Sequence, residues 1–213
     1  MNYMINILIV DDHAVVRAGL RQIISGVSDM TVADEADSAF DALDKIRKKR
    51  YSMVVLDISM PGKSGLDVLK EIRSEHPKLP VLMLSMYPED QYAVRALRSG
   101  ASGYMTKDSA PNELVTAIRT VAGGRKYISS DLAERLAFNL DVDMKKEPHE
   151  ILSDREYQVL CTIASGKTIS EIADQLSLSV KTISTYRSRI LEKMQLKNNA
   201  ELTNYAIRNH LVD

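Results

Sequence analysis

The 213-residue sequence contains a single cysteine, Cys161, so an intrachain disulfide and a cysteine-rich zinc site are both excluded. It also lacks long apolar runs: MVVL at 53–56 and VLML at 81–84 are far shorter than the ~18 residues that suggest a membrane span. The first residues, MNYM, carry no basic charge and lead directly into an apolar run, so we expect no signal peptide. These absences favour a reducing, cytoplasmic location.

Neither sign of charge dominates the chain. Its 28 basic and 29 acidic residues leave a formal net charge of −1, so the total charge does not indicate a nucleic-acid partner, and any such partner must be argued from a local basic patch. The hydrophobic fraction of 45% and the charged fraction of 27% are close to globular averages, which excludes a wholly disordered or collagen-like chain. The length allows one or two domains.

Three apolar runs in the first half predict buried strands, because their aliphatic residues do not alternate with polar ones. Weaker runs predict two more strands, and segments with helical periodicity separate the five. The predicted strands span 5–10, 30–36, 53–58, 81–86 and 103–106, and the predicted helices about 14–25, 38–49, 65–75, 89–99 and 111–122. Because parallel strands need crossover helices, this alternation predicts an α/β fold with a doubly wound, five-stranded parallel sheet.

The chain changes character after the double glycine at 123–124. The segment 124–149 is polar and charged, and it predicts a linker with a short helix at about 129–140. Beyond the linker no strand pattern remains, and 150–213 predicts a small all-α domain. Its helices are expected from Ser153 or Asp154 to Ala164, from Ser170 onward, from 180 to 194 and from 199 to 209. We therefore expect a first domain at 1–123 and a second at 150–213.

Polar side chains follow several of the predicted strands. Asp11 and Asp12 come after the first strand, Asp57 ends the third, Ser85 ends the fourth and Lys107 follows the fifth. Since ligands of open parallel sheets bind beyond the carboxyl ends of the strands, we expect these side chains to share one cleft. Three carboxylates repel each other unless a cation binds them, and a hard divalent ion such as Mg2+ suits them. Asp57 is then a candidate nucleophile that forms an acyl phosphate.

Each of these residues also has an ordinary explanation. An aspartate after a strand often caps a helix, a lysine is usually solvated, and a serine can simply end a strand. His13, next to the acidic pair, is explained as a partly exposed residue at a helix start. Five such residues at the ends of different elements are nevertheless hard to explain as caps.

The motifs around these residues resemble those of receiver domains from bacterial two-component response regulators. The resemblance covers 1–122 and is carried by ILIVDDH, VVLDISMPGKSG, VLMLS and GASGYMTKDS, together with the spacing from Asp57 to Ser85 and to Lys107. It implies a flavodoxin-like receiver fold and a phosphoryl group that Asp57 accepts from a sensor histidine kinase.

The resemblance also implies a divalent metal site, for Mg2+ or Mn2+. Asp12 matches the residue that binds the metal directly, and Asp11 matches one that acts mainly through water. Asp57 and the backbone carbonyl of Ser59 match the remaining ligands of the protein.

Two further residues match the phosphate contacts of the family, namely Ser85 and Lys107. Tyr104 matches the aromatic residue that turns inward when the residue at position 85 moves, with an ordinary half-buried strand tyrosine as the alternative. Pro61 and Gly65 are expected to shape the loop after the phosphoacceptor.

A helix-turn-helix pattern occupies 169–194, where a short helix, a tight turn and a longer helix are predicted. At 100° per residue, one face of the longer helix carries Ile183, Tyr186, Ile190 and Met194, and the opposite face carries Lys181, Ser184, Thr185 and Ser188. The second face is short, polar and free of acids, and five basic residues against one acid lie within 179–198. This combination favours a helix that reads DNA, with the solvated face of a four-helix interaction module as the alternative.

The wider segment resembles the DNA-binding domain of the LuxR-type family. The resemblance is carried by the L-S-x-R-E start, by EIA, by S-V-K-T-I and by K-M-x-L-K, whereas Tyr186 stands where the family frequently has histidine. The candidate DNA-binding residues are Lys181, Thr182, Ser184, Thr185, Arg187, Ser188, Arg189 and Lys193. Together, the two halves resemble response regulators of the NarL/FixJ class.

These features predict a phosphorylation-controlled transcription factor. Its expected partners are a sensor histidine kinase, double-stranded DNA and RNA polymerase. It is also expected to form a homodimer when phosphorylated, and no membrane partner is expected. It is expected to act as an enzyme only in assisting its own Mg-dependent phosphorylation and dephosphorylation.

Two other functions are weighed against this one. An aspartyl-phosphate phosphohydrolase commonly carries a second acid two residues after its nucleophile, where this chain has Ser59, and it needs a cap insertion that this chain lacks. A phosphate-independent binding protein with a degenerate receiver is disfavoured by the intact set of five polar residues.

Overall fold

The structure, a computed structural model, describes residues 4–87, 89–129, 132–134 and 147–212. The chain forms two compact units, Met1–Ala133 and Glu134–Asp213. Most of the short helix predicted at 129–140 lies outside the described residues. Within the described ranges, no helix is long and apolar enough to cross a membrane.

The first unit alternates strands and helices along the chain. Its strands are β1 Ile5–Val10, β2 Met30–Ala36, β3 Met53–Asp57, β4 Val81–Ser85 and β5 Gly103–Thr106. Its helices are α1 Ala14–Ser25, α2 Ala39–Lys48, α3 Gly65–Glu75, α4 Glu89–Arg98 and α5 Ala110–Ala122. All four strand pairs are parallel, in the order β2-β1-β3-β4-β5, which confirms the predicted flavodoxin-like sheet. The order places β3, which ends in Asp57, at the centre of the sheet.

The central strands are buried on both faces, as their unbroken apolar runs predict. Alternate residues such as Ile7, Val55 and Leu82 share one hydrophobic core with side chains of α1 and α5. The residues between them, such as Leu8 and Val54, are also fully buried. Burying one such side chain stabilises the fold by about 1.5–3 kcal/mol, so the sheet is a rigid base for the loops at its edge.

A short segment after α5, the strap (125–129), pairs with the edge of the sheet although its composition predicts a linker. The Tyr127 N–H donates to the Ser102 carbonyl at 3.0 Å, and the Tyr104 N–H donates to the Tyr127 carbonyl at 3.0 Å. A Cβ atom at Gly103 would lie 2.7 Å from that carbonyl oxygen, so a glycine is needed for this approach. The Ser129 hydroxyl bonds the Glu89 carboxylate on α4. These bonds hold the strap on the edge of the sheet and against α4.

The second unit is helical throughout its described part. A 3-10 helix at Pro148–Ile151 precedes α6 Asp154–Ala164, α7 Ile169–Gln175, α8 Val180–Met194 and α9 Asn199–Arg208. The start predicted for α7 at Ser170 is wrong. The Thr168 hydroxyl accepts from the Glu171 N–H while the Glu171 carboxylate accepts from the Thr168 N–H, and this reciprocal cap starts the helix one residue before Ser170.

Candidate functional sites

The structure brings the polar residues at the strand ends together in one cleft. Asp11, Asp57 and Ser85 are buried at the carboxyl edge of the sheet. The Lys107 Nζ lies 2.7 Å from the Asp11 Oδ2 and 3.2 Å from the Asp57 Oδ2. The cleft therefore contains two buried carboxylates and one ammonium group within ion-pair distance.

Burial dominates the electrostatics of this cleft. Burial raises the pKa of Asp57, the Lys107 ammonium lowers it, and the Asp11 carboxylate raises it, with a net pKa of about 6. For Lys107, burial lowers the pKa, but the carboxylates of Asp57 and Asp11 outweigh it, so the pKa is raised. Asp57 is consequently ionised at neutral pH and faces a cationic lysine.

The donor set at the cleft fits a hard divalent cation. Asp11, Asp12, His13 and Asp57 each offer a ligand atom, and these atoms lie within 4.8 Å of one another. Among the residues that the structure describes, the Asp57 oxygens, the Asp11 Oδ2 and the Asp12 Oδ1 are buried without a well-oriented hydrogen bond. Lys107 and His13 lie within ion-pair distance of three of these oxygens and offset part of the cost of burying their charge, and a divalent cation with oxygen ligands would offset the rest. The cluster is therefore compatible with divalent metal binding.

The loop after β3 is held tightly against the backbone of Asp57. A Cβ atom at Gly65 would lie 2.0 Å from the Asp57 carbonyl oxygen, and the Gly65 N–H donates to the Ile58 carbonyl at 2.9 Å. The Ser64 hydroxyl accepts from the Asp67 N–H and caps α3. The backbone of Ser59 faces the Asp57 carboxylate and lowers its pKa against the effect of burial. Only glycine at position 65 allows this arrangement.

Ser85 and Tyr104 are connected through the backbone of Tyr87, a residue that the sequence pattern does not indicate. The buried Ser85 hydroxyl accepts from the Tyr87 N–H at 3.0 Å. The Tyr104 hydroxyl donates to the Tyr87 carbonyl at 2.9 Å, and the Tyr104 side chain is fully buried, in contrast to a half-buried strand tyrosine. The Tyr87 ring packs against Tyr92 of α4, with 4.8 Å between the ring centroids. Ser85 is thus linked to both β5 and α4.

In the second unit, α8 has one buried and one exposed face, as its periodicity predicts. Ile183, Ile190 and Met194 are buried, which leaves the opposite face to solvent. The exposed candidate residues are Lys181, Ser184, Thr185, Ser188 and Arg189. Thr182 is half-buried, and its hydroxyl lies 2.8 Å from the Ser179 hydroxyl at the helix start.

Two of the predicted DNA-binding cations have partners inside the second unit. The Lys193 Nζ lies 2.7 Å from the Glu156 Oε2, and the Glu156 side chain is only 4% exposed. The Arg187 Nε donates to the Asn199 Oδ1 at 2.5 Å. These bonds connect α8 to α6 and α9, so both residues contribute to the position of α8. In the sequence alone, both are typical of solvated cations.

The family models match both units. The response regulator receiver domain matches residues 7–119, and the luxR family of bacterial regulatory proteins matches residues 150–206. The chain is 38% identical over 209 residues to the response regulator UvrY of Escherichia coli K12, covering 98% of this chain and 96% of UvrY. It is 37% identical over 210 residues to the response regulator GacA of Pseudomonas protegens, covering 99% of each.

Solved structures of the response regulator RcsB resemble the whole chain. One from Salmonella typhimurium is 26% identical, with a TM-score of 0.68, and covers 97% of this chain and 98% of RcsB. An RcsB–DNA complex is 26% identical, with a TM-score of 0.60, and covers 99% of this chain and all of RcsB. A third structure holds two RcsB dimers on two parallel DNAs.

The fold, the acidic cleft and these similarities define a two-domain response regulator. The chain belongs to the NarL/FixJ family of response regulators, in which a receiver domain precedes a LuxR-type DNA-binding domain. It is a phosphorylation-dependent transcription regulator and not a classical enzyme.

Proposed function

We propose that Asp57 accepts a phosphoryl group from a phosphohistidine of a sensor histidine kinase. The observation that carries this proposal is the position of its ionised, buried carboxylate 3.2 Å from the Lys107 ammonium and next to the acidic pair. Among the five candidate residues, only Asp57 ends the central strand of the sheet. The carboxylate attacks phosphorus, a P–O bond forms, and the P–N bond of the donor breaks.

The neighbouring groups position and neutralise the transferred group. Lys107 pairs with one phosphoryl oxygen, and the Ser85 hydroxyl donates to another. Asp11, Asp12, Asp57 and the backbone carbonyl of Ser59 would hold Mg2+ or Mn2+, which supplies positive charge to the phosphoryl oxygens. The same groups assist the hydrolysis of the acyl phosphate. The chain thereby assists its own phosphorylation and dephosphorylation.

Phosphorylation would be communicated through the link from Ser85 to Tyr87 and Tyr104. When the Ser85 hydroxyl turns to the phosphoryl group, it no longer accepts from the Tyr87 N–H. The Tyr87 backbone can then move, and its carbonyl, which accepts from the Tyr104 hydroxyl, moves with it. Tyr104 is the switch aromatic in this proposal. Moving a two-state receiver from about 1% to about 99% active requires about 5.5 kcal/mol of differential stabilisation.

The output of the switch is the binding of double-stranded DNA by the second domain. Phosphorylation promotes a homodimer, and the homodimer binds the DNA. The protein acts in the cytoplasm, together with RNA polymerase. The structures of RcsB with DNA and as dimers on DNA support this output. Ser184, Thr185 and Ser188 are exposed on α8 and short enough to reach base edges. The phosphate contacts are assigned to Lys181, Thr182, Arg187, Arg189 and Lys193.

The domain boundaries are proposed at 1–123 and 150–213, with 124–149 as the connection. The strap forms the start of that connection and stays on the receiver sheet through Tyr127.

Labelling with radiolabelled acetyl phosphate and Mg2+ tests the proposal. The wild-type chain should take up label that both acid and base release, as an acyl phosphate does. Asp57→Asn should take up none, and the matched surface variant Asp44→Asn should match wild type. Label at wild-type level on Asp57→Asn would refute the assignment. Uptake of no label by wild type would indicate a degenerate receiver, and rapid multiple turnover of organic phosphates would indicate a phosphohydrolase.

A further inference from the structure

The imidazole of His13 lies at the edge of the acidic cluster. Its Nδ1 is 2.8 Å from the Asp12 Oδ1 and 3.3 Å from the Asp11 Oδ1. The His13 N–H also donates to the Asp11 Oδ1 at 2.8 Å, which fixes the residue at the mouth of the cleft. The side chain is 63% exposed, so an imidazole that could point into water instead contacts both carboxylates.

The position of His13 at the start of α1 does not explain this orientation. His13 is the N-cap residue of α1, but within the described part of the chain its side chain makes no capping hydrogen bond. The ring is directed to the acidic pair and not to the helix. The His13 ring therefore interacts with the cleft and not with the start of α1.

The distances agree with those between ligands of one metal ion. Two neighbouring ligands of an octahedral ion, each bound at about 2.1 Å, lie about 3 Å apart. The separations of 2.8 and 3.3 Å between Nδ1 and the two carboxylate oxygens are close to this value. Without a metal they are ion-pair distances, and a bound ion would take the place of the proton on Nδ1. The His13 nitrogen is also one of the four ligand atoms that lie within 4.8 Å of one another.

We propose that His13 is an additional metal ligand, which gives the cleft a preference for first-row transition ions such as Co2+ over Mg2+. The inference rests on the proposed phosphoacceptor site and specifies which ions that site selects. Carboxylate and carbonyl oxygens suit Mg2+ and Mn2+, whereas an imidazole nitrogen adds affinity for the later first-row ions. The ligating tautomer carries its proton on Nε2, where water can accept it because the side chain is exposed.

Calorimetric titration of the full-length chain with CoCl2 and with MgCl2 tests the proposal. Wild type should bind Co2+ about 10-fold or more tightly than Mg2+. His13→Ala should lose about 10-fold in Co2+ affinity and change by less than about 2-fold for Mg2+. His76→Ala is the matched control, because His76 follows α3 at the opposite end of the sheet, and it should bind both ions as wild type does.

Further variants separate ligation from a positioning role. His13→Asn keeps a residue that caps helices well but removes the imidazole, so it should behave as His13→Ala. The visible absorption of bound Co2+ should change in both variants and should disappear in Asp12→Asn.

Equal losses for both ions in His13→Ala, restored by Asn, would show that His13 only positions Asp12, and unchanged Co2+ affinity would show that the ring is merely solvated. Either result overturns the inference and leaves the proposed function intact. The proposed function itself fails if wild type binds no Mg2+ and takes up no label.

Discussion

The two candidate sites of this chain place their functional groups in opposite surroundings. In the receiver, Asp11 and Asp57 are buried beside Lys107, and several of their oxygens lack well-oriented hydrogen bonds among the described residues. On α8, Ser184 and Ser188 are exposed, whereas Ile190 on the opposite face of the helix is buried. A buried charged site opposes folding until a ligand neutralises it, whereas an exposed polar face has little effect on folding. Substitutions should therefore change receiver stability strongly and α8 stability weakly.

The largest effect is expected from Gly65→Ala. The added Cβ atom would lie 2.0 Å from the Asp57 carbonyl, and backbone cannot move aside as a flexible side chain can. We expect the free energy of unfolding of the receiver to fall by about 3 kcal/mol or more, measured by urea denaturation of the full chain.

Gly19→Ala is the matched control for that prediction, because Gly19 lies within α1 and a Cβ atom there has nothing within 4 Å. It should stabilise α1 by about 0.5–1 kcal/mol. Equal destabilisation by both substitutions would contradict the close approach at Gly65.

The second largest effect is expected from Asp57→Asn, and its size depends on pH. Its pKa in the folded chain is about 6, above the ordinary 3.8, so the folded state retains a proton that the unfolded state has lost. The protonated Asp57 side chain therefore leaves the folded state at full stability below about pH 4, and this stability is lost as the pH rises through about 6. Asp57→Asn should therefore raise the metal-free unfolding free energy by roughly 2–3 kcal/mol at neutral pH.

Denaturation series at several pH values check this sign. The stability difference between Asp57→Asn and wild type should grow as the pH rises from 4 to 6 and then level off. A difference that shrinks over this interval would mean that Lys107 lowers the pKa of Asp57 more than burial raises it.

A smaller effect, on specificity alone, is expected from Ser184→Ala. The residue is exposed, so the free energy of unfolding should change by less than about 0.5 kcal/mol. Binding to the preferred DNA site should weaken by about 1–3 kcal/mol, with little change on scrambled DNA. If binding titrations showed that binding to both DNAs weakened equally, α8 would not read the DNA sequence.

The smallest effect is expected from Lys181→Ala. Loss of one phosphate contact should weaken binding to every DNA and lower the slope of log K against log salt by about one. Titrations at several salt concentrations measure this slope, with Arg208→Ala on α9 as the control. An unchanged slope in Lys181→Ala would place the residue away from the phosphates.

Sequence reasoning locates the parts of this chain that depend on strand ends and helical periodicity. The parallel sheet and the meeting of Asp11, Asp57 and Lys107 follow from apolar runs with polar ends. The start of α7 at Ile169 is also predictable, since a threonine such as Thr168 three residues before a glutamate is a capping-box pattern.

Other features leave no periodic signal. The strap contacts the sheet through the two backbone hydrogen bonds of a single residue, Tyr127, which is too short for a strand pattern. The ion pair between Lys193 and Glu156 joins residues 37 positions apart. The connection from Ser85 to Tyr104 uses only the backbone of Tyr87. Such contacts depend on the folded geometry and not on neighbouring residue types.

The central claim is that phosphorylation of Asp57 controls DNA binding, and a DNA titration with and without acetyl phosphate and Mg2+ tests it most directly. We expect the phosphodonor to tighten binding of wild type to its preferred site and to leave Asp57→Asn unchanged. The same tightening in Asp57→Asn, or none in wild type that has demonstrably been labelled, would contradict the account.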